Sequence, residues 1–214
     1  ENPETYELAE RQLREMIERD RNRASVVIWS VANETPRGEA RLAFLESLIE
    51  EARRLDSSRL ISAATELTWK DDGVHLDDPL GDHLDVLGVN EYVGWYGDAP
   101  PEAAPGIRWH TRYDKPLIVS ELGAGALAGH HGEPTARWTE EYQERVYEQQ
   151  IEMLRGIEFL RGTSPWILMD FRSPRRPLPG IQDFWNRKGL VSEQGERKKA
   201  FFVLRDFYRE LAER

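Results

Sequence analysis

SVVIWSVANETP, residues 25–36, decides the reading of this chain. The apolar, β-branched run Val26, Val27 and Ile28 leads into Trp29. It stops at Asn33 and Glu34, with Pro36 just behind. Such a run predicts a buried strand whose C-terminal tip presents a carboxylate to a cleft. KPLIVSELGAG, residues 115–125, has the same build: Pro-led, apolar through Val119, ending in Ser120 and Glu121 before a glycine-rich loop.

Working outward, helical and strand patterns alternate. Tyr6, Ala9, Leu13, Met16 and Ile17 recur at helical spacing over 3–20, with Pro3 near the start. A strand over 26–31 is followed by a helix over 37–55, a strand over 59–64 and a polar loop holding His75 and several Asp. A strand over 84–90 runs into the aromatic loop EYVGWYG. A Pro-rich segment with a short helix spans 99–113, and a strand spans 116–120. The rest predicts a helix over 135–160, a strand over 164–169 (SPWILM), a Pro/Arg-rich loop and a last helix from Lys198. Continuous apolar strands separated by helices argue for a parallel α/β sheet. Five strands would complete an open doubly wound sheet, or make a little over half of a (β/α)8 barrel. No GxGxxG or GKS/T motif follows any strand, which counts against a nucleotide-binding sheet.

The 214 residues suffice for one domain with a real core. The formal net charge of -10, without a basic stripe interleaved with aromatics, argues against a nucleic-acid partner. No apolar run reaches bilayer length, so a soluble chain without a membrane partner is expected. Without cysteine, disulfides are excluded and the redox compartment goes unreported. Seven Trp fit sugar platforms and ordinary core equally well. The first residue is Glu, not Met, so a signal peptide cannot be judged and the compartment is not legible.

Glu34 and Glu121 directly end strongly apolar strands. Glycoside hydrolysis needs one carboxylic acid to protonate the leaving oxygen and a second carboxylate to attack the anomeric carbon or activate water. Either glutamate alone reads as an ordinary surface residue at a strand end; the pair, each in the same context, points to two-carboxylate chemistry. A retaining pair stands about 5–5.5 Å apart. Asn90 and Tyr92, two apart at a strand end, are expected to face the same way. His130-His131 invites a metal reading, but adjacent strand residues face opposite ways and no partner stands at ligand spacing, so no metal is expected there.

WSVANE resembles the acid/base motif of retaining (β/α)8 glycosidases that hold their carboxylates on strands four and seven. DVLGVNEYVGWY, IVSELGAGALAGHHG, WTEEYQ and NRKGLVS…RKKAFFVL together resemble glycoside hydrolase family 2, and within it the β-glucuronidases. The resemblance implies a TIM barrel of which strands 4–8 are present, as the C-terminal part of a larger enzyme. It implies that Glu34 is the acid/base, Glu121 the nucleophile and Asn33 the donor to the sugar 2-hydroxyl, with no cofactor. Tyr92 would bond the nucleophile, and Asn90 stands beside it as a substrate-side residue. Trp166, on the last strand, would floor the sugar. Asn186 and Lys188 would grip a uronate carboxylate, a suitable task for a compact donor-only cation. Arg175 and Arg176 add positive potential nearby, and Asp170 would reach a sugar hydroxyl or cap a turn. Two other readings stand beside this one. A β-galactosidase-type enzyme on neutral sugars would keep the mechanism, and a non-catalytic half-barrel would need a partner chain. Either way, open strand edges and an apolar interior call for the rest of the barrel or a second copy.

Overall fold

The computed structural model describes residues 2–213. The elements in chain order are α1 (Pro3–Asp20), β1 (Ile28–Asn33), α2 (Glu39–Leu55), β2 (Leu60–Thr65), β3 (Thr68–Lys70), β4 (Gly73–Leu76), β5 (Val86–Asn90) and β6 (Trp109–Thr111). They continue with β7 (Leu117–Glu121), α3 (Glu140–Arg155), β8 (Leu160–Thr163), β9 (Phe171–Arg172), β10 (Trp185–Asn186) and α4 (Lys199–Ala212). Short 3-10 helices lie at Pro79–Asp82 and Pro101–Gly106.

The main sheet has the order β1-β2-β5-β7-β8, which is the order in which the chain makes the strands. β1, β2 and β5 pair in parallel. β7 continues the direction beside β5: Leu87 N–H bonds Pro116 O, and Glu91 N–H bonds Glu121 O. A doubly wound sheet reverses its order at a switch point. Here every crossover steps one strand onward, the progression of a (β/α)8 barrel. The sheet order therefore resolves the choice that five strands alone leave open.

The described residues form two compact units. The first takes the chain through Asn90, with Arg108–Ser120 and Phe159–Gly162. The second takes Glu91–Ile107, Glu121–Glu158 and the chain from Thr163 onward. In the first unit α1 starts at Asn2, whose side chain accepts the Glu4 N–H, with Pro3 in the first turn. Its Leu13 and Ile17 pack with Leu45, Leu48, Ile49 and Ala52 of α2 and with Trp29, Ile61 and Ala63 of the sheet. β2 from Ile61 and β5 through Val89 are buried residue after residue, as strands covered on both faces must be. In the second unit, α3 packs Tyr142 and Val146 against Trp95 and Ala124.

Three expectations need correction. The helix expected over 135–160 is α3 alone: the Thr139 hydroxyl accepts the Tyr142 N–H at 3.0 Å and caps it, and Gly156 ends it. The strand expected over 164–169 is instead β8, over LRGT; SPWILM lies beyond it in irregular backbone. Its apolar run misled because Leu168 and Met169 are exposed, while the Trp166 and Ile167 N–H groups bond Leu122 O and Lys188 O. The polar loop after β2 contains β3 and β4, which form a second sheet, β3-β4-β6, with a strand in the segment expected to end in a helix. Strands of three or four residues are too short for periodicity to reveal.

Candidate active site

The first unit brings together Asn33, Glu34 and Asn90. Asn90 Nδ2 donates to Glu34 Oε1 at 2.8 Å and to Asn33 Oδ1 at 3.0 Å. The Ser120 hydroxyl stands 2.8 Å from Asn90 Oδ1 and 3.0 Å from Val89 O. With its oxygen engaged by Ser120, the Asn90 amide is turned so that its nitrogen faces the carboxylate. Glu34 has φ of 49°, in the left-handed region that a non-glycine residue enters at a cost of about 1–3 kcal/mol. Its N–H still bonds Ala64 O at 3.0 Å, so the sheet pins the strained residue. An extended backbone at 34 would aim this side chain elsewhere.

The second unit brings Tyr92 to Glu121: the phenol donates to Oε2 at 2.7 Å. Burial first, then this bond, pushes the Tyr92 pKa well above the ordinary tyrosine value, so Tyr92 stays a protonated donor. β5 ends at Asn90, so strand alternation does not extend to Tyr92. Asn90 and Tyr92 serve different carboxylates. Just after Glu121, Gly123 has φ of 123°, and a Cβ there would stand 2.3 Å from the Tyr147 hydroxyl; only glycine fits.

Lys188 is buried, and its Nζ donates to the Tyr96 hydroxyl at 2.6 Å. The ammonium lies 5.3 Å from the Tyr92 ring centroid, 5.9 Å from Trp95 and 4.8 Å from Tyr96, a three-sided aromatic cage. Burial raises the Tyr96 pKa, but Lys188 and Arg176 outweigh it and the net shift is downward. Asn186 Oδ1 accepts the Lys188 N–H at 3.1 Å and fixes the turn. Trp166, half-buried, packs edge-on against Phe171 at 6.0 Å; it sits in the segment after β8, not on a strand.

Beneath the Asn186–Gly189 turn lies a network the sequence did not disclose. Lys198, fully buried, donates to Asp170 Oδ1 at 2.9 Å, to Oδ2 at 3.0 Å, and to the carbonyls of Ala126 and Arg187. Arg187 and the Gly189 N–H also donate to Asp170. Asp170 therefore neither reaches for substrate nor caps a simple turn; it ties the loop carrying Lys188 to the start of α4. A Cβ on Gly189 would meet Asp170 Oδ1 at 2.4 Å, so this residue must be glycine. From α3, the buried Gln143 amide spans Ala124 O and Gly189 O, and that of Gln150 reaches Val93 O.

Glycosyl hydrolases family 2, TIM barrel domain, is the family model that matches, over residues 1–213. The chain belongs to this family. Among curated relatives, the β-glucuronidase of Sus scrofa is 35% identical over 211 residues, covering 94% of this chain and 31% of the relative. That of Paenibacillus borealis is 34% identical over 218 residues, covering 94% and 34%. Among solved structures, a β-glucuronidase of an uncultured Clostridium sp. superposes with TM-score 0.81 at 28% identity, covering 96% of this chain and 36% of that one. A family 2 β-galacturonidase of Eisenbergiella tayi bound to galacturonate gives 0.82 at 27%, covering 98% and 37%. The chain thus spans about a third of the length of these family 2 relatives.

Glu91, beside Tyr92, is a buried acid that sequence reading passed over. Its Oε1 accepts the Val93 N–H at 2.7 Å, while Oε2 has no partner among the described residues. Burial pushes its pKa up to about 7, against the backbone N–H groups of Val93 and Tyr92, which pull it down. The unfolded chain ionises this carboxyl near 4.5. Between that value and about 7 the folded state holds more protons, so stability falls as pH rises. Glu91→Gln is therefore expected to gain on the parent between about pH 4 and pH 8, by up to about 3 kcal/mol. Urea unfolding at both pH values measures the gain. A difference between the two proteins that does not change with pH would place this carboxyl at its ordinary value.

Proposed function

We propose that this chain forms the catalytic part of a retaining β-D-glucuronidase acting by double displacement, with Glu121 as nucleophile and Glu34 as acid/base. The observation that carries the reading is that each carboxylate has its own neutral donor: Tyr92 on Glu121 Oε2 and Asn90 on Glu34 Oε1. Glu121 Oε1 then attacks the anomeric carbon. The bond to the aglycone breaks toward the leaving oxygen, which takes the proton of Glu34. In the second step Glu34, now a carboxylate, takes a proton from water as that water attacks the same carbon and releases Glu121. Tyr92 withdraws charge from a nucleophile it cannot protonate, and moves with it from carboxylate to ester. Asn33 donates to the 2-hydroxyl, and Trp166 underlies the ring.

A uronide substrate is favoured by Lys188, whose ammonium has donors left beyond the one given to Tyr96, and by the Asn186 amide nitrogen next to it. The named activities of the relatives point the same way. The galacturonate-bound neighbour favours β-galacturonides as a second reading, differing in one hydroxyl. Among the described residues β1 and β8 have a sheet neighbour on one side only, so the reading requires the rest of the barrel, or a second copy, to pair them.

The test assays the full-length protein that carries this chain against aryl β-glucuronide, β-galacturonide and β-galactoside. Preference for the glucuronide is expected, together with a crystallographic Glu34–Glu121 carboxyl separation of about 5–5.5 Å. A preference for the galactoside would overturn the uronide assignment. A separation beyond about 9 Å would overturn the retaining mechanism.

A further inference from the structure

The small β3-β4-β6 sheet lies in the first unit and takes no part in the chemistry above. β4 and β6 run parallel with His75 and His110 as register partners. Partners on neighbouring strands project from the same face. Their imidazoles accordingly stack, with centroids 4.6 Å apart and an interplanar angle of 22°. Asp72 sits in the turn between β3 and β4. His75 Nε2 stands 2.8 Å from Asp72 Oδ1. His110 Nε2 stands 3.8 Å from Asp72 Oδ2 and 3.1 Å from the Asp72 carbonyl oxygen. Two imidazoles thus aim the same nitrogen at one carboxylate, and the three donor atoms lie within 4.8 Å of one another.

We propose that Asp72, His75 and His110 bind a divalent transition-metal ion of the zinc class, which clips the β3–β4 turn to β6. Two imidazole nitrogens and one carboxylate suit zinc, nickel or copper, and not calcium or magnesium, which prefer all-oxygen shells. A tetrahedral site with ligand bonds of about 2.0–2.1 Å has edges of about 3.3 Å. Side-chain rotation closes the remaining distance, at most about 1.5 Å, since Asp72 is exposed and the two rings are only partly buried. Each histidine coordinates through Nε2, and the fourth position falls to water. The cation would replace the hydrogen bond that His75 now shares with Asp72. Arg108 Nε donates to the Asp72 carbonyl oxygen at 3.0 Å, leaving the carboxylate to the imidazoles. Asp71, next along the turn and exposed, adds a second negative charge close by. The site is a structural clip; nothing in the glycosidase chemistry passes through it.

The test is a calorimetric titration of the full chain, freed of metal with chelator, with zinc and with magnesium, alongside thermal melting. Zinc is expected to bind one equivalent and raise the melting temperature, and magnesium to do neither. His110→Asn and Asp72→Asn, both surface changes, are expected to abolish the zinc-dependent shift while leaving the metal-free melting temperature unchanged. His75→Gln is expected to behave alike. The competing location is the other histidine pair, where His131 Nδ1 meets Glu141 Oε1 at 2.9 Å. A shift that persists in His110→Asn and disappears in the double variant His130→Gln/His131→Gln would overturn the proposal. So would the absence of zinc binding in the parent chain.

Discussion

Replacing Glu121 by Gln in the full-length enzyme is expected to lower kcat for an aryl β-glucuronide by more than about 10⁴-fold. It is also expected to abolish covalent trapping by a fluorinated glycoside. The loss should be this large because the amide has no charge to form the glycosyl ester, while Tyr92 still points at it and the pocket keeps its shape. Glu34→Ala is expected to differ in kind. With an activated aryl leaving group the first step needs little protonation, so the glycosyl-enzyme should form and persist, because no base remains to activate water. Added azide needs no base, and should restore turnover and give the β-glycosyl azide. The two variants therefore separate the roles. A Glu34→Ala enzyme that fails to form the intermediate, with Glu121→Gln still labelled, would mean the assignments are reversed.

The second large effect concerns Lys188. Lys188→Met keeps the length and apolar stem of the side chain inside the Tyr92, Trp95 and Tyr96 cage and removes the charge together with the hydrogen bond to the Tyr96 hydroxyl. Losing the cationic partner of a desolvated carboxylate costs about 2–5 kcal/mol. kcat/KM for the glucuronide is thus expected to fall about 30- to 5,000-fold, mostly through KM, while the slow hydrolysis of the matching neutral glucoside holds or improves. Lys188→Arg is not expected to rescue, because the planar guanidinium does not fit where a compact ammonium sits between ring faces. Equal losses on both sugars would show that the residue shapes the site rather than reading the carboxylate.

The strand tips were legible because burial writes itself into sequence. The run Leu117 to Val119 enters a core at Leu117 and Val119, whereas of Val26 to Trp29 only Trp29 is buried and Val27 is 65% exposed, β1 having a sheet neighbour on one side only among the described residues; in both, the first polar residues after the run stand at the strand tip. Glu34 and Glu121 follow from that; the Tyr92 contact was implied only by the family resemblance of the motifs around it. The five apolar runs by themselves carry no record of which neighbours which; the resemblance of the motifs implied the barrel order, and hydrogen bonding across the sheet shows it. The last strand was misplaced because SPWILM is more apolar than LRGT, although the ladder runs through the latter. The supports of the site were hidden for another reason. Ser120 beside Asn90, Lys198 beneath Asp170, and Gln143 between Ala124 and Gly189 join residues 19 to 46 positions apart. Nothing local marks such polar side chains as buried. The same holds for His75 and His110, which become partners only through the β4–β6 register.

The buried Lys198 also has a consequence for the order of events in synthesis. It emerges from the ribosome after every residue that touches substrate in the proposed mechanism, including Lys188 ten positions earlier. Until it arrives, Asp170 lacks the cation that neutralises it from below, and the Arg187 and Ala126 carbonyls lack their shared donor. A nascent chain halted just short of residue 198 would already hold both glutamates and the lysine meant to recognise the sugar acid. It would not yet have the turn that holds that lysine in place. Setting Lys188 in place is in this sense a later event than making the residues the proposed mechanism uses, and a chain cut between residues 188 and 198 would keep those residues while losing the support of their turn.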